Sequence, residues 1–472
     1  MAHSQVVRVY STYQDPDHEC PWQSLAPRGS NGSGVVTGPG EILTGAHVIA
    51  NATFVQVQKP SDPTKVVARV TSVSHDADLA LLRVDDPAFT RGMRAVQIGD
   101  LPHLRDEVQV VGYPIGGEEV SITEGVVSRI EVQRYEHSQR HLLAVTVDAA
   151  INSGNSGGPV FAGRKVVGIA IQSMPDAENI GDMVPATIIK RFLAAARRGE
   201  DRVEVPGFGF TTQPLENPAL RRHLGMTGRD SGVLITAVQY GSSAWGTLQV
   251  GDVLLEVDGM RVANNGTVQY RDRFRCQFDV AVSDHSIGDT LRARILRDRK
   301  RIAVKFEARP MCWLVPRIEF EQLPTWFLFG GLVFQRLTAE LLRVWGDNWW
   351  DKAPKELLHL YSSGVRRADR QEIIVLAHVL ADAVNVGYEP FVNDVVVEVN
   401  GTGPANMAEF VRLLEAAQGD VSIRLSSGAI VLLPAVDAWA ANARIAARYQ
   451  LPGDRSRDLP AARRTARTRK RK

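Results

Sequence analysis

The chain has 472 residues, which is too many for one compact domain, since domains commonly contain ~100–200 residues. Its 44% hydrophobic and 23% charged content is that of a globular protein and excludes disordered and fibrous classes. The longest apolar run, Trp326–Phe334, is far shorter than the ~20 residues that a membrane-spanning helix needs. Three scattered cysteines without a Cys-x-x-Cys pair indicate neither a disulfide framework nor a metal site.

The net charge of +2 conceals a basic tail, because residues 455–472 contain nine Arg or Lys and one Asp. Residues 453–472 also lack most large apolar groups, so we predict that this tail is disordered. It would attract nucleic acid, acidic proteins or an import receptor, or else stay solvated without a partner. Residues 1–5 show neither a basic leader nor an apolar stretch, which predicts a cytoplasmic protein, with a nuclear location as the alternative.

Residues 1–200 alternate short Val- and Ile-rich runs with Gly, Pro, Asn and Asp, a pattern typical of an all-β barrel or sandwich. The predicted strands are Val6–Tyr10, Val55–Gln58, Val66–Val70, Val108–Gly112, Leu142–Val147 and Val166–Ile171. One helix is predicted to begin near Pro185 and to end at Gly199. We therefore place a domain boundary at about residue 200.

Beyond this boundary, one nine-residue pattern occurs twice, at 251–259 (Gly-Asp-Val-Leu-Leu-Glu-Val-Asp-Gly) and at 393–401 (Asn-Asp-Val-Val-Val-Glu-Val-Asn-Gly). Gly251 is exchanged for Asn393, and glycine and asparagine tolerate a positive φ best. The two copies are therefore predicted to share a backbone shape, a strand that runs into a turn. Each copy also follows a Gly-aromatic segment, at 207–210 and at 329–334.

The segment 152–159 (Asn-Ser-Gly-Asn-Ser-Gly-Gly-Pro) carries the strongest chemical signal. A nucleophilic serine needs a tight turn and small neighbours, so that its Oγ is exposed and backbone N–H groups face a developing oxyanion. Ser156 fits that requirement, and Gly154, Asn155 and Ser156 would form the oxyanion hole. A surface turn rich in Ser, Gly and Asn is the alternative reading of the same segment.

Two further residues complete a catalytic set. His47 follows a small-residue turn after a strand, and Asp78 directly precedes the apolar run 79–82. Each alone is compatible with a structural role. The order His47, Asp78, Ser156 within a β-rich domain, however, is that of the chymotrypsin-type triad and differs from the order in subtilisins and α/β-hydrolases.

These residues lie in segments that resemble the three catalytic boxes of the HtrA (Deg) serine proteases: 32–48, 78–82 and 154–159. The downstream repeat resembles two PDZ domains of that family, and the segments 112–117, 125–131 and 148–152 are similar to the plant-type Deg subgroup. The chain departs from the family at Gly45, where many members have Asn.

The resemblance implies a mostly β fold, a chymotrypsin-like double β-barrel followed by two PDZ domains. The predicted boundaries are 1–200 for the protease domain, 205–310 and 314–435 for the two PDZ domains, 436–452 for a helical extension and 453–472 for the tail. It also implies ATP-independent proteolysis of unfolded or damaged proteins, without a cofactor or metal, by a trimer or a hexamer. Tyr10, Tyr13 and Trp22 would pack either between subunits or in the core.

Substrate recognition is predicted at two places. Ala150, with Ile151, Ile169 and Ile171, would form a pocket for small or medium apolar side chains. Phe208, Gly209 and Phe210 would hold the carboxylate of a peptide that pairs with a sheet edge. The alternative to a protease is a chaperone or peptide-binding scaffold whose protease domain is largely inactive, because sequence does not show the geometry of the triad.

Overall fold

A computed structural model describes residues 4–60, 62–86, 88–114, 119–149, 151, 154–173 and 180–460, without the side chains of residues 172 and 173. The chain divides into two compact units. The first unit contains residues 1–14 and 26–312, and the second contains residues 15–25 and 313–472.

The first unit begins with a closed barrel of six strands in the order β1-β2-β3-β6-β5-β4. Its apolar interior forms because alternate side chains of each strand point inward. A short helix, α1 (Ala46–Ile49), follows the third strand. The strands are β1 (Val6–Tyr13), β2 (Arg28–Gly38), β3 (Glu41–Thr44), β4 (Ala52–Gln58), β5 (Lys65–Ser74) and β6 (Leu79–Val84).

A second barrel follows, in which pairing of the eleventh and twelfth strands closes the order β11-β8-β9-β10-β13-β12 into a ring, with β7 beside β12. The helix α2 (Ala186–Arg197) ends this region. The strands are β7 (Gln97–Ile98), β8 (Glu107–Gly112), β9 (Ser121–Arg134), β10 (His141–Val147), β11 (Pro159–Ala162), β12 (Lys165–Ser173) and β13 (Gly181–Pro185).

The strands and the helix predicted for this region are confirmed. All six predicted strands lie within observed strands, and the predicted helix is α2, with Pro185 as its N-cap. Gly199 has φ +89°, which ends the helix in a conformation that glycine adopts most readily. The two barrels together give the predicted mostly β, chymotrypsin-like fold.

The rest of the first unit is a sheet in the order β15-β16-β17-β21-β22, in which β15 is an edge strand and β18 pairs with β17. A 3-10 helix (Phe278–Asp284) and α3 (Pro218–His223) accompany it. The strands are β14 (Pro206–Gly207), β15 (Phe210–Pro214), β16 (Val233–Val238), β17 (Val253–Val257), β18 (Met260–Arg261), β19 (Thr267–Tyr270), β20 (Phe274–Gln277), β21 (Thr290–Arg297), β22 (Lys300–Glu307) and β23 (Arg309–Pro310).

The second unit contains two three-stranded sheets, β24-β25-β26 and β27-β28-β29, with helices packed on them. The strands are β24 (Trp326–Phe329), β25 (Leu332–Arg336), β26 (Ile374–Val379), β27 (Val396–Val399), β28 (Asp420–Leu425) and β29 (Ile430–Pro434). The helices are α4 (Ala339–Arg343), α5 (Trp349–Lys352), α6 (Lys355–Ser363), α7 (Met407–Ala416) and α8 (Ala435–Tyr449). Trp22, from the N-terminal segment, packs edge-on against Trp326 at 5.6 Å between ring centroids.

The shared backbone shape predicted for the repeat is confirmed. The first copy forms β17 and the second forms β27. The exchanged residues Gly251 and Asn393 have φ of +97° and +73°, and the closing residues Gly259 and Gly401 have φ of +79° and +80°. The exchange of glycine for asparagine therefore follows a backbone requirement.

The beginning of the predicted disordered tail is ordered. Leu328 N donates to Asp454 O, Ser456 N donates to Trp326 O, and Leu459 is buried in the apolar cluster of the second unit. Backbone pairing along β24 thus compensates for the scarcity of apolar side chains. The prediction is wrong for 454–460, and residues 461–472 lie outside the described residues.

His18 is expected to make the second unit sensitive to acid. Burial lowers the pKa of His18 to about 4, against the opposing effect of Asp17 and Asp15. Between pH 6.5 and 4 the unfolded chain therefore binds a proton that the folded chain does not, so stability falls as the pH falls, by up to about 3 kcal/mol. His18→Gln is expected to reduce the drop in unfolding temperature between pH 7 and pH 4.5, measured by scanning calorimetry of the whole chain. The exposed His223→Gln is the control, and an unchanged drop in His18→Gln would contradict the prediction.

Candidate active site

The first barrel brings His47 and Asp78 together. His47 lies on α1, directly after β3, and Asp78 ends the turn between β5 and β6, two strands that pair in the same barrel. Asp78 has φ +54°, a left-handed conformation that aspartate adopts more readily than most residues. The turn thereby directs the Asp78 carboxylate toward His47.

The carboxylate of Asp78 accepts two hydrogen bonds from His47. One comes from Nδ1 to Oδ2, at 2.7 Å, and the other comes from the backbone N to Oδ1, at 2.8 Å. The Asp78 side chain is only 3% exposed and that of His47 is 26% exposed. This arrangement fixes the imidazole tautomer and leaves Nε2 to accept a proton.

The pKa values of the pair have moved apart. Burial lowers the pKa of His47, but the charge of Asp78, its hydrogen bond and Glu136 outweigh this effect, so the pKa is raised. Burial raises the pKa of Asp78, but His47 and His137 outweigh it and hold that pKa well below its usual range. A carboxylate that stays charged beside a basic imidazole is suited to general base catalysis.

Ser156 lies in the turn before β11, with glycines on either side of its motif in positive-φ conformations, Gly154 at +99° and Gly157 at +79°. A Cβ on Gly157 would lie 2.4 Å from Thr44 Oγ1 and 2.5 Å from Ser33 O, so only glycine fits. The described part of the chain shows no hydrogen bond on Nε2 of His47, which is buried. The nucleophile–base hydrogen bond is therefore not formed in this structure.

Hydrogen bonds fix three successive carbonyl groups of the Ser156 turn, two of them to Ser33 of β2 and one within the turn. Gly154 O accepts from Ser33 Oγ at 2.7 Å, Asn155 O accepts from Gly158 N at 2.9 Å, and Ser156 O accepts from Ser33 N at 2.9 Å. A trans peptide points its N–H opposite to its C=O, so the amide of Ser156 is directed away from Gly158. Ser33, which sequence analysis did not single out, is thus the main support of this turn.

The isoleucines predicted to line the substrate pocket lie in the apolar core. Ile151, Ile169 and Ile171 are all buried within the apolar cluster of the first unit, at 6%, 0% and 6% exposure. Ala150 lies outside the described residues. Their role as pocket walls stays a prediction.

The predicted peptide-binding loop has a defined shape. Phe208 is buried and its ring lies 5.2 Å from that of Phe210, which stacks on Phe278 at 5.8 Å. Gly209 has φ +72°, and a Cβ there would lie 2.1 Å from the Cβ of Ser242. The loop leads directly into the edge strand β15.

The corresponding loop in the second unit is already bonded within its own unit. Gly330 N donates to Asn442 Oδ1 at 2.8 Å, and Asn385 Nδ2 donates to Gly330 O at 2.8 Å. Asn442 belongs to α8, so this helix covers the loop. The tryptophans at 345 and 349 are partly buried and pack in a separate cluster with Leu341.

Among the described residues, no group of three or more His, Cys, Asp or Glu is arranged to hold a metal ion. Within the same ranges, no helix is both long and apolar enough to cross a membrane.

Comparison with known proteins agrees with this geometry. Residues 32–169 match the trypsin-like peptidase domain family, and residues 315–458 match the PDZ domain family. A PDZ domain at 205–310 stays a prediction from the repeat. Among solved structures, an HtrA-type protease, AlgW, with a decapeptide shares the fold, with a TM-score of 0.50, 23% identity, and coverage of 66% of this chain and 97% of that one.

The expectation of a cytoplasmic or nuclear protein is wrong. Several similar relatives from Arabidopsis thaliana are named mitochondrial or chloroplastic proteases, and they match 95% or more of this chain.

Two of these relatives match this chain over three quarters or more of their own length. "Protease Do-like 4, mitochondrial" is 34% identical over 95% of this chain and 84% of its own. "Protease Do-like 2, chloroplastic" is 36% identical over 96% of this chain and 75% of its own. With its two barrels, its trypsin-like peptidase match and its PDZ match, the chain belongs to the Do-like (HtrA or Deg) family of serine endopeptidases.

Proposed function

We propose that this endopeptidase degrades unfolded or damaged proteins without ATP, using His47, Asp78 and Ser156 as its catalytic triad. The observation that carries the proposal is the double hydrogen bond from His47 to the buried Asp78 carboxylate. A carboxylate at 3% exposure beside a histidine of raised pKa is typical of a catalytic site and uncommon in a barrel interior that has only a structural role.

In the proposed mechanism, Ser156 Oγ attacks the scissile carbonyl carbon while His47 Nε2 takes the hydroxyl proton. The C–N bond breaks as His47 returns that proton to the leaving amine. Water then hydrolyses the acyl-enzyme by the same route, with His47 again as base. Asp78 stays ionised throughout and stabilises the imidazolium.

The oxyanion would be bound by backbone amides of Gly154 and Ser156, with Asn155 shaping the turn between them. The hydrogen bonds of the three carbonyl groups fix the turn and direct the Ser156 amide away from Gly158, which supports this role for the amide. The unformed bond between Ser156 and His47 is compatible with this mechanism, because such bonds often shorten only when substrate is bound.

Peptide recognition is proposed at the loop Phe208-Gly209-Phe210. A C-terminal peptide would add a strand to the free edge of β15, its carboxylate would meet amides of the loop, and its last side chain would contact the Phe210–Phe278 stack. The loop at Gly330 is a poor candidate, because its amide is bonded to Asn442.

We further propose an organellar location and a trimeric or hexameric assembly. The names of the mitochondrial and chloroplastic relatives support the location. Any contact with nucleic acid would involve the basic residues of 461–472, outside the described residues.

The experiment that tests the function is degradation of casein without ATP, followed across temperature, together with labelling by a covalent serine-directed probe. Cleavage and labelling of Ser156 are expected. The unformed Ser156–His47 bond favours one rival, a peptide-binding scaffold with a largely inactive protease domain. Peptide binding with neither cleavage nor labelling at any temperature would establish that rival.

The peptide site has its own prediction. Phe210→Asp places a charge in the stack with Phe208 and Phe278, and is expected to weaken binding of a peptide with an apolar C-terminus by at least about tenfold, measured by fluorescence anisotropy. Phe54→Asp, which changes an exposed phenylalanine of β4, is the matched control. Equal affinity in Phe210→Asp and wild type would place the carboxylate site elsewhere.

A further inference from the structure

The turn that carries Asp78 is held from one side by the connection between β9 and β10. His137 Nε2 lies 2.9 Å from His75 Nδ1, and Ser138 Oγ donates to Asp76 O at 2.9 Å. Arg140 Nη1 lies 2.9 Å from Asp76 Oδ2. These contacts fall on the two residues that start the turn, and Asp78 follows two positions after Asp76.

Arg140 also binds the chain that enters the downstream sheet. Its Nη1 donates to Val205 O at 3.0 Å and its Nη2 donates to Pro206 O at 2.7 Å. Val205 N in turn donates to Asp76 Oδ2 at 2.9 Å. One guanidinium, on a side chain that is 6% exposed, therefore joins the Asp78 turn to the residues that precede Phe208.

This arrangement is more than a surface ion pair. A buried guanidinium that loses its carboxylate is left with an uncompensated charge, so Arg140, whose side chain is 6% exposed, depends on Asp76, whose side chain is 26% exposed. Asp78 needs such support because its left-handed φ of +54° persists only where neighbouring contacts determine it. Small displacements of a catalytic carboxylate are enough to lower a rate substantially.

We propose that Asp76 and Arg140 are positioning residues of the catalytic pair: by fixing the turn, they hold the Asp78 carboxylate in the orientation that binds both His47 Nδ1 and the His47 backbone amide. Neither residue touches substrate in this proposal. It rests on the proposed triad, since it assigns these residues a role toward His47 and Asp78.

The test compares Arg140→Met with Arg134→Met, a matched change at an exposed arginine of the same hairpin. For a small fluorogenic peptide, kcat of Arg140→Met is expected to fall about 10- to 100-fold, with KM within about twofold, because binding is retained while alignment is lost. Arg134→Met should stay within about twofold of wild type in both constants.

A second readout is independent of turnover. The pKa of His47, measured by NMR with labelled histidine, is expected to fall in Arg140→Met, because a misaligned Asp78 no longer outweighs burial. Glu136 and His137, which also face this pair, are unchanged in the variant. The low-field resonance of the His47 Nδ1 proton should weaken in parallel.

Asp76→Asn keeps the side-chain shape and an acceptor for Val205 N, so it serves if Arg140→Met does not fold. The double variant is expected to lose no more activity than Arg140→Met alone, because the effects of residues that act as a unit are not additive.

Unchanged kcat and unchanged His47 pKa in a folded variant would overturn the proposal and leave the pair a purely structural role. If wild type neither cleaves nor labels, the triad proposal fails, whereas the His47 titration still tests positioning.

Discussion

Replacing Ser156 with alanine is expected to reduce casein degradation and peptide hydrolysis by at least about 10⁴-fold, because the described residues of the turn, 154–158, contain no other hydroxyl or thiol that could act as the nucleophile. The fold should be retained, since the contacts of Ser156 with Ser33 use its backbone carbonyl. Peptide affinity at the Phe208-Gly209-Phe210 loop should also be retained, because that loop belongs to a different sheet.

The assay for Ser156→Ala is ATP-free cleavage of casein, with circular dichroism as the folding control and Ser30→Ala, a partly exposed serine of β2, as the matched variant. Turnover near the wild-type rate in Ser156→Ala would refute the nucleophile assignment. Loss in both variants would point to a general effect on the barrel.

The second large effect is expected for Asp78→Asn. The neutral amide removes the charge that outweighs burial, so the pKa of His47 should fall below its ordinary value. It also favours the wrong tautomer, and kcat/KM is expected to fall by about 10⁴-fold, as for other Ser-His-Asp enzymes.

The sign of the pH effect follows from the role of His47 as a base. Only neutral His47 accepts the proton, so wild-type activity should be lost as the pH falls through a pKa raised above 6.5. In Asp78→Asn the acid limb of the residual activity should move to lower pH. The matched control is Asp85→Asn, an exposed acid that follows the same strand, β6. An acid limb at the wild-type position in Asp78→Asn would show that Asp78 does not set the basicity of His47.

Much of the active site could be predicted because its residues lie in short segments with their own backbone requirements. The glycines around Ser156 can be recognised in the sequence, since a tight turn with positive φ needs them, and His47 follows a strand pattern whereas Asp78 directly precedes one. The repeat could be recognised for the same reason, because Gly251 and Asn393 occupy equivalent positions that need a positive φ.

The supports of the site could not be predicted. Arg140 and Asp76 are distant in the sequence, and nothing local distinguishes Arg140 from the exposed Arg134 nearby. Ser33 in a strand and Asn442 in a helix likewise gain their roles only from tertiary contacts. Sequence left open whether Trp22 packs between subunits or in a core; within the chain it is partly buried and packs against the apolar cluster around Trp326, and packing between subunits stays a prediction.

The N-terminal segment 15–25 has a consequence for the order of folding. Its flanking strands, β1 and β2, belong to the first barrel, whereas the segment itself belongs to the second unit. During synthesis Trp22 leaves the ribosome long before Trp326, so the core of the second unit can close around Trp22 only after residues 313–460 have been made. A nascent chain stalled within the second unit would therefore display Trp22 to chaperones.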